Sequence, residues 1–367
     1  MVYYIRFLKT PRIQKQKAAS LTISALICIT TDLGDSFLAE DVELFATLSV
    51  NQTEKILYQE KLKWTAGKRE LPISLGPFPA QLSQHTVVLG VSASDPRQPH
   101  SSSIDHLLGK KGVQVPLVIS GWSAPFGGSE ALVAEKLVER RFGPKDRLDL
   151  KIWEETGNSI ARHIWDAALA SVMYIQQAIQ SGPDTAGPLQ GLLQNQRSSP
   201  LHVIELGSGC GIVGIALAQL LSRCSVLLTD LPEVEEIVRQ NIAATSPTRS
   251  SEIEYQTLDW DEKVPEDLFP DGPIDLILIS DCTYNADSLP ALVSVLDQLM
   301  HMSPDAIVLV ALKRRHDSET IFFDLMQTAG FRNLHQDSME LPSQHAQVDR
   351  IELYCYGRHP STRPTVA

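Results

Sequence analysis

The stretch Val203-Ile-Glu-Leu-Gly-Ser-Gly-Cys-Gly211 runs from apolar residues into alternating glycines, and Ile-Val-Gly214 and an apolar-periodic segment follow it. That succession reads as a buried strand turning tightly into a helix. Glycines permit the turn and let the backbone approach a ligand, while the first turn of the helix offers unpaired N–H groups. The spacing alone does not choose the ligand, because Gly209-x-Gly211-x-x-Gly214 also satisfies the dinucleotide fingerprint, in which those groups hold a pyrophosphate.

Downstream, strand and helix patterns alternate. His202 to Leu206, Ser225 to Thr229, Glu254 to Leu258, Ile274 to Ser280 and Ala306 to Leu312 read as strands. Helical patterns cover Val213 to Leu221, Glu233 to Ala244, Ser288 to Met300 and Ser318 to Thr328. This predicts an α/β, doubly wound, largely parallel sheet with its ligands at the carboxyl ends of the strands. Phe331 to Gln336 and Arg350 to Tyr356 have no helix between them and predict an antiparallel C-terminal hairpin, completing a seven-stranded Rossmann-like sheet. Upstream, Ile160 to Ile179 carries apolar residues at helical spacing, and Ser181 to Pro200, rich in Gly, Pro, Gln and Ser, reads as a mobile insertion.

The N-terminal part has another texture. Leu21 to Thr30, Asp41 to Val50, Lys55 to Trp64, Glu70 to Leu75 and His85 to Val91 are short β patterns separated by turn residues, which predicts an all-β, sandwich-like domain. A linker is expected at about 92–112, a further strand over Val113 to Ile119, and a connecting helix over Glu130 to Phe142. The expected organisation is a β-rich domain over 1–119, with a role in docking or regulation, an α/β domain over 120–358 and a disordered tail over 359–367.

Composition narrows the classes. A net charge of −12 argues against nucleic acid as a partner, and no apolar run is long enough to span a bilayer. Cys28, Cys210, Cys224, Cys282 and Cys355 are scattered without paired ligand spacing, so neither a disulfide nor a metal site is expected. The run Arg6, Lys9, Arg12, Lys15 and Lys17, with no acid before Asp32, is transit-peptide-like in charge. The period-two pattern from Leu21 to Ile29 argues instead for a strand of the mature fold, so cytoplasmic residence is expected, with the nucleus also open.

Three features bear on the ligand. Glu205 stands at the strand end just before the glycines. Asp230 ends the second strand, where a carboxylate accepts ribose hydroxyls of either cofactor. The fourth strand exits through Asp281-Cys-Thr-Tyr284, bringing an acid and a phenol to the carboxyl edge. Together with Trp165-Asp-Ala-Ala168, Thr229-Asp-Leu231 and Leu258-Asp-Trp260, these motifs make residues 150 to 358 resemble the seven-β-strand protein methyltransferases called methyltransferase-like family 16. That family includes lysine methyltransferases acting on chaperones and translation elongation factors.

The resemblance implies S-adenosyl-L-methionine as cofactor, a protein substrate methylated on lysine nitrogen, and a monomeric enzyme. It implies roles by position: Gly207 and Gly209 at the methionine side of the cofactor, with Glu205, Ser208 and Gly211 completing that wall. Asp230 would hold the ribose, Trp260 with Ser280 the adenine, and Trp165 would close the site from the helix side. Asp281 would orient the acceptor amine, and Tyr284 would shape its channel. Bland readings stand beside these: Trp165 as core, Asp230 as a helix cap. A small-molecule acceptor or a catalytically idle scaffold are the competing functions.

Overall fold

A computed structural model describes residues 2–16, 20–51, 53–93, 117–143, 148–157, 159–180, 187–195, 199–248, 250–266, 268–269, 272–341 and 349–358. The chain forms two compact units that divide between Ile164 and Trp165.

The first unit is all β: β1 (Val2–Lys15), β2 (Ser20–Thr30), β3 (Val42–Val50), β4 (Ile56–Trp64), β5 (Leu71–Pro79), β6 (Val87–Ser92), β7 (Leu117–Ile119), β8 (Gly121–Ser123), β9 (Leu137–Phe142) and β10 (Leu150–Glu155). They make a four-stranded sheet in the order β5-β2-β1-β7 and a six-stranded sheet in the order β10-β9-β8-β6-β3-β4. Alternate residues of both sheets, such as Ile5, Ile23, Ile27 and Ile73 from one and Leu44, Leu48, Leu89 and Val138 from the other, meet in one core. Period-two burial on two facing sheets is a sandwich. Arg6, Lys9, Arg12 and Lys15 belong to β1, a 14-residue strand between β2 and β7 that the sequence reading did not assign, while Lys17 lies outside the described residues.

The helix expected over Glu130 to Phe142 is not formed. Leu132 and Val133 lie exposed against β1, where Ile13 N–H donates to Leu132 O, and Leu137–Phe142 is strand β9. The cause is tertiary: Arg140, fully buried on β9, donates through Nε to Glu154 of β10 at 2.8 Å, a cross-strand pair that a helix would not align. With β8, β9 and β10 in its sheet, the first unit reaches Ile164 rather than ending near 119. The expected linker lies outside the described residues from 94 onward, as does the tail from 359.

The second unit begins with α1 (Asp166–Gln180) and α2 (Pro188–Gln194). The segment read as a mobile insertion therefore contains a helix: Pro188 suits its first turn, and Leu189 and Leu193, four apart, are both buried. Then come β11 (Leu201–Leu206), α3 (Ile212–Leu220), β12 (Cys224–Asp230), α4 (Glu235–Ala244), β13 (Glu252–Thr257), β14 (Leu276–Ser280), α5 (Leu289–Met302), β15 (Ile307–Leu312), α6 (Ile321–Thr328), β16 (Arg332–Glu340) and β17 (Arg350–Gly357). The sheet order is β13-β12-β11-β14-β15-β17-β16, parallel from β13 to β15 and antiparallel at β17 and β16. All six residues of β11 are buried, as a central parallel strand covered on both faces requires. The two edges are blunted by charge, with Glu252 and Glu254 on β13 and Arg332, Asp337 and Glu340 on β16. Among the described residues no helix is long and apolar enough to cross a membrane.

Candidate active site

Because β11 to β15 run parallel, their exits line up along one edge of the sheet: the glycine loop after β11, Asp230 ending β12, Trp260 after β13, Asp281 after β14 and Lys313 to Arg315 after β15. At the glycine loop the backbone dictates the residue type. Gly207 and Gly211 have φ of 64° and 79°, the left-handed region. A Cβ on Gly207 would sit 2.6 Å from Cys282 Sγ and 3.3 Å from the Trp260 ring, so the loop, Trp260 and the β14 exit close on one another there.

Two carboxyl groups organise this side. Glu205, fully enclosed, accepts the Gly214 N–H at 2.8 Å, tying the strand end to α3. Burial pushes it up to about 8, the Gly214 bond opposing and the nearby Asp230 charge reinforcing that rise. Asp230 accepts the Gly209 N–H at 2.8 Å on one oxygen and the Leu231 N–H at 2.7 Å on the other. Burial raises it above the usual carboxylate range. An ionised carboxylate has about four lone-pair directions, so two acceptor positions remain beyond those bonds. Ser208 Oγ and Thr283 Oγ1 are buried with no hydrogen-bond partner among the described residues.

The other side is an ion-paired framework. Asp281, at φ 58° in the left-handed region, receives both arms of Arg315: Nη1 to Oδ1 at 2.8 Å and Nη2 to Oδ2 at 2.7 Å. The Arg315 guanidinium lies 5.2 Å from the Trp165 ring centroid. Trp165 takes the Ala168 and Leu169 N–H groups on its carbonyl, opening α1, and the next residue, Asp166, is fully buried and accepts the Lys313 ammonium at 2.8 Å. Tyr284 is 57% exposed beyond this framework.

The structure thus brings Gly207 to Trp260, Gly209 to Asp230, and Asp281 with Trp165 to a shared Arg315. The Ser280 hydroxyl is engaged with α1: its Oγ meets Ser171 Oγ at 2.7 Å, and since Ser171 donates to Ala167 O, Ser280 is the donor. The Asp281 carboxylate is not open, its side chain being only 3% exposed. Lys313 and Arg315 were not singled out from the sequence, and Asp166 stood there only within the Trp165-Asp-Ala-Ala168 motif, with no role of its own. The signal was the run Lys313-Arg-Arg315 directly at the carboxyl end of a core strand.

This sheet order, with its glycine loop and acid at the second strand end, defines a Rossmann-like α/β enzyme of the methyltransferase type. Residues 144–329 match the lysine methyltransferase family, and the chain belongs to it. It is 31% identical over 188 residues to protein N-lysine methyltransferase METTL21A of Danio rerio, covering 51% of this chain and 75% of the relative. It is 29% identical to EEF1A lysine methyltransferase 3 of Mus musculus, covering 58% and 83%. Similarity to the UPF0665 family protein C23C4.06c of Schizosaccharomyces pombe, 26% identical, extends across 87% of this chain and 91% of that one.

Proposed function

We propose that this chain transfers a methyl group from S-adenosyl-L-methionine to a lysine side chain of a cytosolic protein, a translation elongation factor or chaperone, and that it acts as a monomer. What supports the reading is that the parallel strands deliver the glycine loop, Asp230, Trp260 and Asp281 to one edge of the sheet, with Trp165 beside the Arg315 that holds Asp281 and Tyr284 exposed three residues beyond it. The acceptor class is supported by relatives named for lysine methylation, one of them for EEF1A.

The residues present fit the cofactor. Asp230 keeps acceptor capacity for a ribose diol, the Trp260 ring supplies an apolar face, and Ser208 and Thr283 carry buried hydroxyls in want of partners. Glu205, Gly207, Gly209 and Gly211 shape the wall around the methionine portion, and Ser280 supports α1 from behind. When bound, the cofactor supplies an electrophilic methyl on a sulfonium.

What remains for the protein is to present a neutral amine. A lysine near pKa 10.4 is deprotonated about once in a few thousand at neutral pH, a handicap of roughly 4.6 kcal/mol. Enclosure against the Trp165 and Tyr284 rings lowers that pKa, alignment recovers several kcal/mol more, and the proton leaves to water.

Calorimetric titration of the full chain with S-adenosylmethionine tests the cofactor. Incubation with radiolabelled donor and a lysate from cells lacking the chain tests the acceptor, with label expected on protein lysine. Asp281→Ala and Tyr284→Phe should each lower transfer by about tenfold or more. Absence of binding would overturn the cofactor assignment; label confined to small molecules would overturn the acceptor class.

A further inference from the structure

We propose that Arg315 is a positioning residue for the acceptor edge of this site, acting through Asp281, and that Tyr284 rather than Asp281 is the side chain that meets the incoming amine. The proposal rests on the methyltransferase reading and deepens it.

The first ground is the saturation of Asp281. Its two oxygens receive the Arg315 fork at 2.8 and 2.7 Å, and Oδ1 also accepts the Lys313 N–H at 3.2 Å. The side chain is 3% exposed and that of Arg315 19%. A carboxylate already neutralised by a guanidinium in a mostly buried setting offers little to a second amine, and parting the two leaves an uncompensated charge.

The second ground is the anchoring of Arg315 itself. Its N–H donates to Glu319 Oε1 at 3.0 Å, where Glu319 is 3% exposed, and its Nη1 also reaches Lys313 O at 3.2 Å. The guanidinium is therefore fixed from its own backbone before it meets Asp281 or the Trp165 ring. Preorganisation of this kind belongs to a residue that sets the position of others.

The third ground is what the pair holds. Asp281 adopts a left-handed backbone that non-glycine residues rarely take, maintained by the Arg315 fork and by its own N–H to Ala311 O at 2.8 Å. From that turn the chain runs through buried Cys282 and Thr283 to Tyr284, which emerges 57% exposed. Arg315 thus governs two walls at once: the turn that aims Tyr284, and Trp165.

A double-mutant cycle with Asp281→Ala, Arg315→Ala and both together tests this, read as label transferred to lysate protein, with thermal midpoint and calorimetric S-adenosylmethionine binding as controls. Each single change should cost about 100-fold in rate, the loss typical of a misplaced reacting geometry, and the double variant should be no slower than either. Arg315→Lys, which keeps the charge without the fork, should recover part of the rate. Losses that multiply in the double variant, or an Asp281→Ala loss well beyond that of Arg315→Ala, would overturn the proposal by giving Asp281 an acceptor contact of its own. Should Arg315→Ala melt early, Arg315→Gln decides: a folded Gln variant at full rate overturns it, and a slow one supports it. A wild-type chain that transfers nothing would instead sink the function reading.

Discussion

Glu205 shows what a single enclosed carboxyl group does to the whole chain. Burial and the Asp230 charge push it up to about 8, whereas in the unfolded chain a glutamate ionises near about 4.3. Between those values the folded chain holds a proton that the unfolded chain has released. Stability contributed at this position is therefore greatest at low pH, falls as pH rises through that window, and levels off above about 8. Glu205→Gln retains an oxygen for the Gly214 N–H and cannot ionise. It is expected to gain on the wild type between pH 5 and 8, by on the order of a few kcal/mol in urea unfolding at each pH. Parallel curves for the two proteins would mean that Glu205 is already ionised in the folded state.

Among the elements, the segment after β15 bears most on the site. Lys313 bonds the fully buried Asp166 at the start of α1, so Lys313→Met would leave that carboxylate without its ammonium. The expected cost is about 3–5 kcal/mol, measured by chemical denaturation, whereas Asp166→Asn with Lys313→Met should restore much of it. A near-neutral Lys313→Met would show the pair to be dispensable. This element also marks how far the amino-acid sequence could be read. The central strands were plain because buried parallel strands are written as unbroken apolar runs, the glycine loop because its left-handed backbone requires glycine, and Asp230 because an acid ending an apolar strand stands out. The ion pairs joining Arg315 to Asp281 and Lys313 to Asp166 bridge 34 and 147 positions, and no local pattern encodes such partners. The same applies to β9, where Arg140 needs Glu154 to be worth burying, and to α2, whose seven residues are too few for periodicity to stand out.

At the scale of the molecule, the first unit depends on strands far apart in sequence. Residues beginning at Val113 include β7 to β10 but lack the strands that β7 and β8 pair with, β1 and β6. Such a fragment would bare Val118, Phe126 and Val138, all part of the sandwich core. It is expected to bind an apolar dye strongly and to aggregate, while a fragment beginning at Ile160 carries none of those strands and should bind far less. Equal dye binding by the two would mean that β7 to β10 need no partners.

Of the described strands the last in sequence, β17, sits inside its sheet, between β15 and β16. At synthesis rates of roughly 5 to 20 residues per second, the 151 positions separating Leu206 from Gly357 take about 8 to 30 seconds to emerge. Through that interval β11, joined in its later part by β14 and β15, waits for the strand that completes the sheet. Until β17 emerges, β15 keeps an open edge and β16 has no strand to pair with, so the site on this sheet is framed only after the hairpin closes.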